Sequence, residues 1–525
     1  MATPNKISSN STGLAYAEEA TIGVLPVSPV WRGLEPNSYS DFGGNLTLLA
    51  RSPITAGRQR KKGVTTDLDA SGGFNTDYTQ DGLQDILQGF FFASLRKHAE
   101  KACTAVDDSP KTFAVATPSD VPVGALIKTT GFTKAANNSA NYANGVFNVT
   151  DNTGGLLTTT DSVVLEAEVP TADAKIVVVG HKFAADVLDV NVSGTWPKLT
   201  SGGMSFVTLG LKVGEWIFVG GDADVTKFAN PENNGFKRIK SVSATELELD
   251  KSDSPMVVEN ETGKTIQIFF GRMLKNELGT SIVRRTYQLE RGLGSADTAD
   301  LTKVQYEYIV GAVPNKFEMT ISPAAKITCD LSFVATDFEQ YDGITANGAA
   351  KAPRNGASGD KRAITSQADA FNTSTDFSRI NLSVISAGNE APSKLFSFVT
   401  DLKISIDNGV TPDKAVSVLG AFDASEGDFV VSGSMTAYFV DVASVAAIRN
   451  NSNVTLDFAM VKNNAGTVVD IPLLALGDGR LSIEKDKSIT LPLSMEAATA
   501  ASIDANTDYT LSMCFFDFLP DAAEA

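Results

Sequence analysis

A strand that runs directly into a helix occurs twice in this chain, and the repetition restricts the fold more than any single motif. In the first copy, SGGFNTDYTQDGLQDILQGFF (71–91), apolar and small residues alternate with polar ones as far as Tyr78. That is the period of a half-buried strand. From Asp81 onward the apolar side chains fall at Leu83, Ile86, Leu87, Phe90 and Phe91. Their i, i+3, i+4, i+7, i+8 spacing predicts an amphipathic helix, with Asp81 placed as its N-cap. VSGSMTAYFVDVASVAAIRNN (431–451) repeats the switch 361 positions later, counted from Ser71 to Ser432. Gly72 then aligns with Gly433, Phe74 with Met435, Tyr78 with Phe439 and Leu87 with Ile448, while Asp441 sits one residue out of register with Asp81. Downstream, KITCDLSFVA (326–335) resembles SITLPLSMEA (488–497).

A second repeat fills 101–271. VGALIKTTGF (123–132) and VGEWIFVGGD (213–222) share landmarks: Gly124 corresponds to Gly214, and Asn144-Gly145 to Asn234-Gly235, both 90 positions apart. Each copy ends in an apolar strand that reaches a glycine, Gly180 or Gly271. An Asn-Gly pair between alternating stretches predicts a two-residue hairpin, because both residues accept positive φ.

These repeats predict a mostly-β fold of two tandem sandwich domains, each with a flanking helix, plus two small inserted β-barrel or sandwich modules. The first sandwich takes 1–100 and 272–345, interrupted by module A (101–190) and module B (191–271). A Gly- and Ala-rich linker follows at 346–363, and the second sandwich takes 364–525. With 42% apolar and 20% charged residues in 525, the chain has enough material for several cores. No apolar run reaches the roughly 20 residues that span a bilayer. The polar N-terminus lacks the basic and apolar regions of a signal peptide, so the expectation is a protein made in a cytoplasm.

Catalytic patterns are missing. The two histidines, His98 and His181, sit in no nucleophile-elbow or metalloprotease context and read as surface or strand-end residues. There is no metal-ligand spacing and no Gly-rich phosphate loop, so neither enzyme nor cofactor is expected. Cys103, Cys329 and Cys514 are odd in number and far apart, and read as buried thiols. Charge adds a restriction: 44 basic against 62 acidic residues give a net of −18. A protein that clamps DNA needs many cationic phosphate contacts, and this one is acidic. Against that background the run RSPITAGRQRKKG (51–63) stands out, with Arg51, Arg58, Arg60, Lys61 and Lys62 between two β stretches. It reads either as a solvated loop or as a protruding cationic loop that docks on an acidic face of another copy.

GLAYAEEATIGVLPVSPVWRGLE (13–35), the switch at 71–91, RTYQLERGL and QYEYIVGAVPNKFEMTIS within 285–322, and GSMTAYFVDVASVAAIRNNSNVTLDFAM (433–460) together resemble the major tail tube proteins of long-tailed, siphovirus-like bacteriophages. The resemblance is to the class with two tube domains in one chain, and it covers about two-thirds of the sequence. It implies a non-enzymatic virion subunit, homotrimeric, whose inner strands join those of neighbours into pseudo-hexameric rings. The rings stack into a hollow tail tube for DNA ejection, with the 51–63 loop at the ring-to-ring contact and the 83–91 helix packed in the ring. It also implies tape-measure, tail-terminator and distal tail proteins as partners, and DNA that passes the lumen without specific binding. The insert departs from the family pattern and is expected on the outside of the tube. A net negative charge suits such a conduit. The rival reading is a multidomain β adhesin or surface-layer subunit that binds glycans or a cell envelope.

Overall fold

The computed structural model describes residues 6–54, 56–57, 59–141, 145–160, 164–260, 262–295, 304–342, 354, 361–363, 368–396 and 398–524. The fold is mostly β. The chain opens with β1 (Gly13–Glu18), β2 (Val30–Leu34), β3 (Pro36–Arg51), β4 (Lys61–Asp77) and helix α1 (Gln84–Phe90). Six strands follow: β5 (Glu100–Asp108), β6 (Lys111–Val115), β7 (Ala125–Thr130), β8 (Phe147–Asp151), β9 (Leu156–Thr159) and β10 (Lys175–Lys182). Then come β11 (Leu188–Asn191), β12 (Lys198–Ser201), β13 (Trp216–Val219), β14 (Gly235–Val242), β15 (Glu246–Lys251), β16 (Glu259–Asn260) and β17 (Gln267–Phe270). The chain continues through β18 (Arg272–Lys275), β19 (Tyr287–Gly294), β20 (Gln305–Ile321), β21 (Thr328–Ala335), β22 (Asp337–Asp342) and β23 (Lys361–Ala363). Next are β24 (Phe377–Val384), β25 (Val399–Asp407), β26 (Thr411–Lys414), β27 (Ala421–Ser425) and β28 (Val430–Tyr438). Helix α2 (Val442–Arg449), β29 (Val454–Lys462), β30 (Ala465–Asp478), β31 (Thr490–Ala498) and β32 (Ser512–Phe516) complete it.

Contacts divide the chain into two compact units. Unit 1 holds Met1–Ser94, Asn276–Thr373 and Thr400–Thr436; unit 2 holds Leu95–Lys275, Ser374–Val399 and Ala437–Ala525.

Unit 1 is a sandwich whose two layers share one strand. The first half of β20 pairs with β19, Tyr306 opposite Gly292, and with β22, Tyr306 opposite Tyr341. β1 continues that layer beyond β19, and β2 lies beyond β1. The second half of β20 belongs to the other layer, with Phe317 opposite Leu331 of β21 and Ile406 of β25. β4 pairs with β21, and β3 with β4. The change of layer falls at Gly311, whose φ of +62° only glycine adopts cheaply, and its N–H donates to Glu19 Oε1 at 3.0 Å. The core centres on Phe333, with the rings of Phe90, Phe74 and Tyr287 at 5.2, 6.3 and 6.4 Å.

Helix α1 starts later than its apolar stripe predicts, and Asp81 does not cap it. Asp81 lies in an exposed turn, the N-cap is Leu83, and no side chain bonds there. Thr79 Oγ1 accepts the Gly82 N–H at 3.2 Å, and Gln84 Nε2 reaches back to the Gln80 carbonyl at 2.6 Å. These local bonds extend the turn and delay the helix.

In unit 2, β24, β29 and β30 form a ladder, and β32 adds to the first half of β30, with β18 beyond it. β31 takes the second half. β30 therefore repeats the two-layer role of β20. The register repeats too: Val313 faces Val334, and 162 positions on, Ala475 faces Glu496. Helix α2 begins directly after Asp441 and is less covered than α1, with Ser444 and Ala447 its buried described side chains.

β5 to β17 make one thirteen-stranded sheet, not two separate bodies. β10 and β17 end the two copies of the insert repeat, and they pair antiparallel, Gly180 opposite Phe269. One buried cluster runs through both modules, taking Phe113 and Phe147 from the first and Phe206, Ile217 and Leu249 from the second. A second cluster joins Trp216, Phe218 and Phe236 to Val461, Val468 and Phe516.

The predicted Asn-Gly hairpins are absent where they can be checked. Asn144 lies outside the described residues. Asn234 is extended, with φ −91° and ψ 173°, and ends a loop between β13 and β14. Its side chain accepts from the Phe228 N–H and donates to the Phe228 carbonyl, both at 3.0 Å. Asn138 does the same to Phe132, at 3.1 and 2.8 Å. The matching residues are thus 96 positions apart (132 to 228, 138 to 234), whereas Gly124 and Gly214, each donating its N–H to the next strand at 2.8 Å, are 90 apart. Six extra residues come early in one loop and late in the other. A constant offset concealed the exchange. Both loops are fastened by a carboxylate: Glu168 accepts from Asn137 Nδ2 at 2.7 Å, and Glu259 from Asn233 Nδ2 at 2.5 Å.

Candidate assembly surfaces

The basic run forms the tip of a long hairpin. β3 and β4 stay paired from Pro36 opposite Thr76 out to Arg51 opposite Lys61. From Asn45 to Arg51 every residue is exposed, and from Lys61 to Thr66 all but Gly63 are. A ribbon exposed on both faces is not packed on the body, so this one projects. Leu48 is 69% exposed, and Ile54 is fully so. Arg51, Arg60, Lys61 and Lys62 are exposed and carry no ion pair among the described residues; Arg58 lies outside them. At the root Lys414 donates to Asp67 and Asp69. Its hydrogen bond holds the Asp67 carboxyl below the usual range.

The stripe of α1 faces inward. Leu83, Ile86, Leu87, Phe90 and Phe91 are all buried. Phe90 packs on Phe317 and Phe333 at 6.0 and 5.2 Å. Gly89 lets the helix lie close: a Cβ there would stand 2.7 Å from Tyr287 and 2.8 Å from Pro314. What α1 leaves on the outside is polar, with Asp85 paired to Arg32.

A buried ion cluster in unit 2 was not foreseen from the sequence. Arg238 on β14 contacts Asp250 at 2.8 Å and Asp470 on β30 at 2.9 Å. Lys251 on β15 reaches Asp470 at 2.5 Å and Asp457 on β29 at 3.4 Å. Arg379 on β24 pairs with Asp457 and Asp253. Burial alone would raise the Asp470 carboxyl, but Lys251 and Arg238 overcome it and hold it at about 2. The guanidinium of Arg379 and the ammonium of Lys251 also lie over the Trp216 ring, at 5.1 and 5.9 Å. The cluster ties β14 and β15 to β24, β29 and β30 with directional bonds. Its signal in the sequence is one carboxylate inside each of two apolar runs, Asp457 in VTLDFAMV and Asp470 in TVVDIPLL.

Neither histidine side chain lies on the surface, which corrects that half of the sequence reading, while His181 does lie at the end of β10. His98 Nε2 is 2.7 Å from Glu215 Oε1, and Arg96 shares that carboxylate. Burial would raise Glu215; His98 and Arg96 lower it. His181 is buried in β10 beside Phe183, and burial pushes it down to about 4. The three cysteines are buried thiols, with Cys103 pushed up to about 11 and Cys514 to about 12 by burial. Among the described residues no three His, Cys, Asp or Glu side chains gather as a metal site, and no helix is long and apolar enough to cross a membrane.

No curated protein matches the chain. A family model described as "Phage tail tube protein" matches residues 9–497, nearly the whole of it. The chain therefore belongs to the phage tail tube protein family.

Proposed function

We propose that three copies close into a ring of pseudo-sixfold symmetry and that rings stack into the hollow conduit through which DNA leaves the virion. As a tail tube family member the chain is a structural subunit of the virion tail. The observation that carries the ring reading is the duplicated sandwich, in which β20 and β30 hold their partners in the same register 162 positions apart. Two equivalent domains per chain make three chains supply six, and closure into a ring removes exposed sheet edges. In this reading 1–100 with 272–345 and 364–525 are the two tube domains, 346–363 links them, and modules 101–190 and 191–271 stand outside the lumen.

The basic arm around Arg51, Arg58, Arg60, Lys61 and Lys62 is proposed as the ring-to-ring contact, docking on an acidic face of the next ring. Helix α1 supports the sandwich through Leu83, Ile86, Leu87, Phe90 and Phe91, which leaves its polar side for a ring neighbour. Tape-measure, tail-terminator and distal tail proteins are the expected further partners, in a long non-contractile tail of siphovirus type. Negative-stain electron microscopy of the concentrated, N-terminally untagged protein tests the reading. Hollow tubes or threefold rings are expected. A chain that stays monomeric even with a tail initiator complex overturns it.

A further inference from the structure

We infer that the outer edge of β3 in one copy pairs with residues 478–483 of the next, repeating between chains a junction that unit 1 already contains. The inference rests on the ring reading above and gives it a location.

The junction inside unit 1 is the pairing of β25 with the second half of β20. It runs from Lys316 opposite Asp407 to Ile321 opposite Leu402. Two ion pairs bracket it, Lys316 with Asp407 at 2.8 Å and Lys403 with Glu318 at 2.6 Å. With β21 on one side and β25 on the other, Ile321 is only 8% exposed.

β30 offers the same edge without the partner. The shared register of 162 positions carries through to its end: Thr320 faces Thr328, and Ser482 bridges Thr490. By that register Ile483 is the counterpart of Ile321 (321 plus 162), yet it is 71% exposed. β20 remains a strand as far as Ile321, whereas β30 stops at Asp478, five positions short of Ile483. Among the described residues no strand pairs with 479–483 on the side that β25 would take.

The missing strand is the counterpart of β25. β25 leads into β28, and β28 into α2, as β3 leads into β4 and α1. Thr400 Oγ1 donates to the Thr436 carbonyl at 3.1 Å, and Ser405 Oγ lies 2.9 Å from Ser432 Oγ, so β25 lies beside β28 as β3 lies beside β4. Among the described residues the ladder of β3 runs along one edge, against β4. Its other edge is therefore free to donate a strand. Edge and acceptor are different surfaces, so the contact passes from copy to copy and closes only when a ring is complete. Backbone bonds would supply the affinity, as in strand addition generally.

A photoreactive phenylalanine analogue in place of Ile483, and separately in place of Leu46, tests the junction; both positions are exposed in the single chain. Isotope-labelled and unlabelled copies are mixed, assembled, irradiated and mapped by mass spectrometry. The expected adducts join the 483 probe to a peptide within 36–51 of a different copy, and the 46 probe to one around 474–487. Loss of assembly in both variants, with monomer melting unchanged, also supports the junction. Rings or tubes whose adducts fall elsewhere, or within one chain, overturn it and leave the tube reading standing. Failure of the unsubstituted chain to assemble overturns both.

Discussion

Arg238 donates to Asp470 across 2.9 Å, and both side chains are buried. One lies on β14 and the other on β30, so the bond is one of several that fasten these parts of unit 2. Buried pairs contribute little net stability when compared with apolar replacements, but removal of one partner strands the other without solvent. The Asp470→Asn change should therefore destabilise unit 2 by about 3–5 kcal/mol. Urea unfolding followed by tryptophan fluorescence would show it, since Trp216 sits beside the cluster.

The same carboxylate makes the protein acid-sensitive. Its folded value of about 2 lies below the ordinary 3.8. Its contribution is complete above the unfolded value and is lost as pH falls through the folded one. Wild-type stability should fall between about pH 4 and pH 2, and the Asp470→Asn variant should lose less over that window.

His181 acts over a higher window. Its folded value of about 4 is depressed from 6.5 by burial. Between these values the unfolded chain binds a proton that the folded chain refuses, so stability declines as pH drops from 6.5 to 4. The full effect is on the order of 3 kcal/mol. His181→Leu should flatten that part of the pH–stability curve, measured as denaturation midpoint against pH.

Gly89→Ala should destabilise unit 1 although alanine favours helices by up to about 1 kcal/mol. Its Cβ would meet Tyr287 at 2.7 Å and Pro314 at 2.8 Å. Lifting α1 off its seat costs about 1–3 kcal/mol. Calorimetry should record a lower melting temperature; an increase would mean that the helix relocates freely.

Neutralising the arm should spare the fold and harm assembly. Arg51, Arg60, Lys61 and Lys62 replaced together by Gln should leave melting within about 0.5 kcal/mol of wild type, because exposed unpaired charges contribute little. Tube length by electron microscopy should fall, and wild-type tubes should shorten in high salt while the variant responds less.

The stripe at Leu83, Ile86, Leu87, Phe90 and Phe91 was legible because helical periodicity is local, and all five side chains are buried. The helix start was less so, because Thr79 and Gln84 make short-range bonds that periodicity does not register. The two modules of the insert could be recognised from Gly124 and Gly214. Their shared core could not, since it depends on β10 meeting β17, and nothing in either strand names its partner. The ion cluster joins residues more than two hundred positions apart, and only the carboxylates inside apolar runs hinted at it. β20, at 17 residues, is longer than most strands, which lets it serve two layers.

The pairing of Arg272 with Phe515 also sets a timetable for the ribosome. β18 begins 240 residues before its partner β32, at Arg272 against Ser512. Unit 1 likewise waits for Thr400–Thr436, which follows its strand β1 (Gly13–Glu18) by more than 380 residues. A chain that stops before Ser512 lacks β32 and leaves β18 and the first half of β30 without that partner. Contacts of such long sequence separation form late. Unit 2 can therefore close only after β32 has been made.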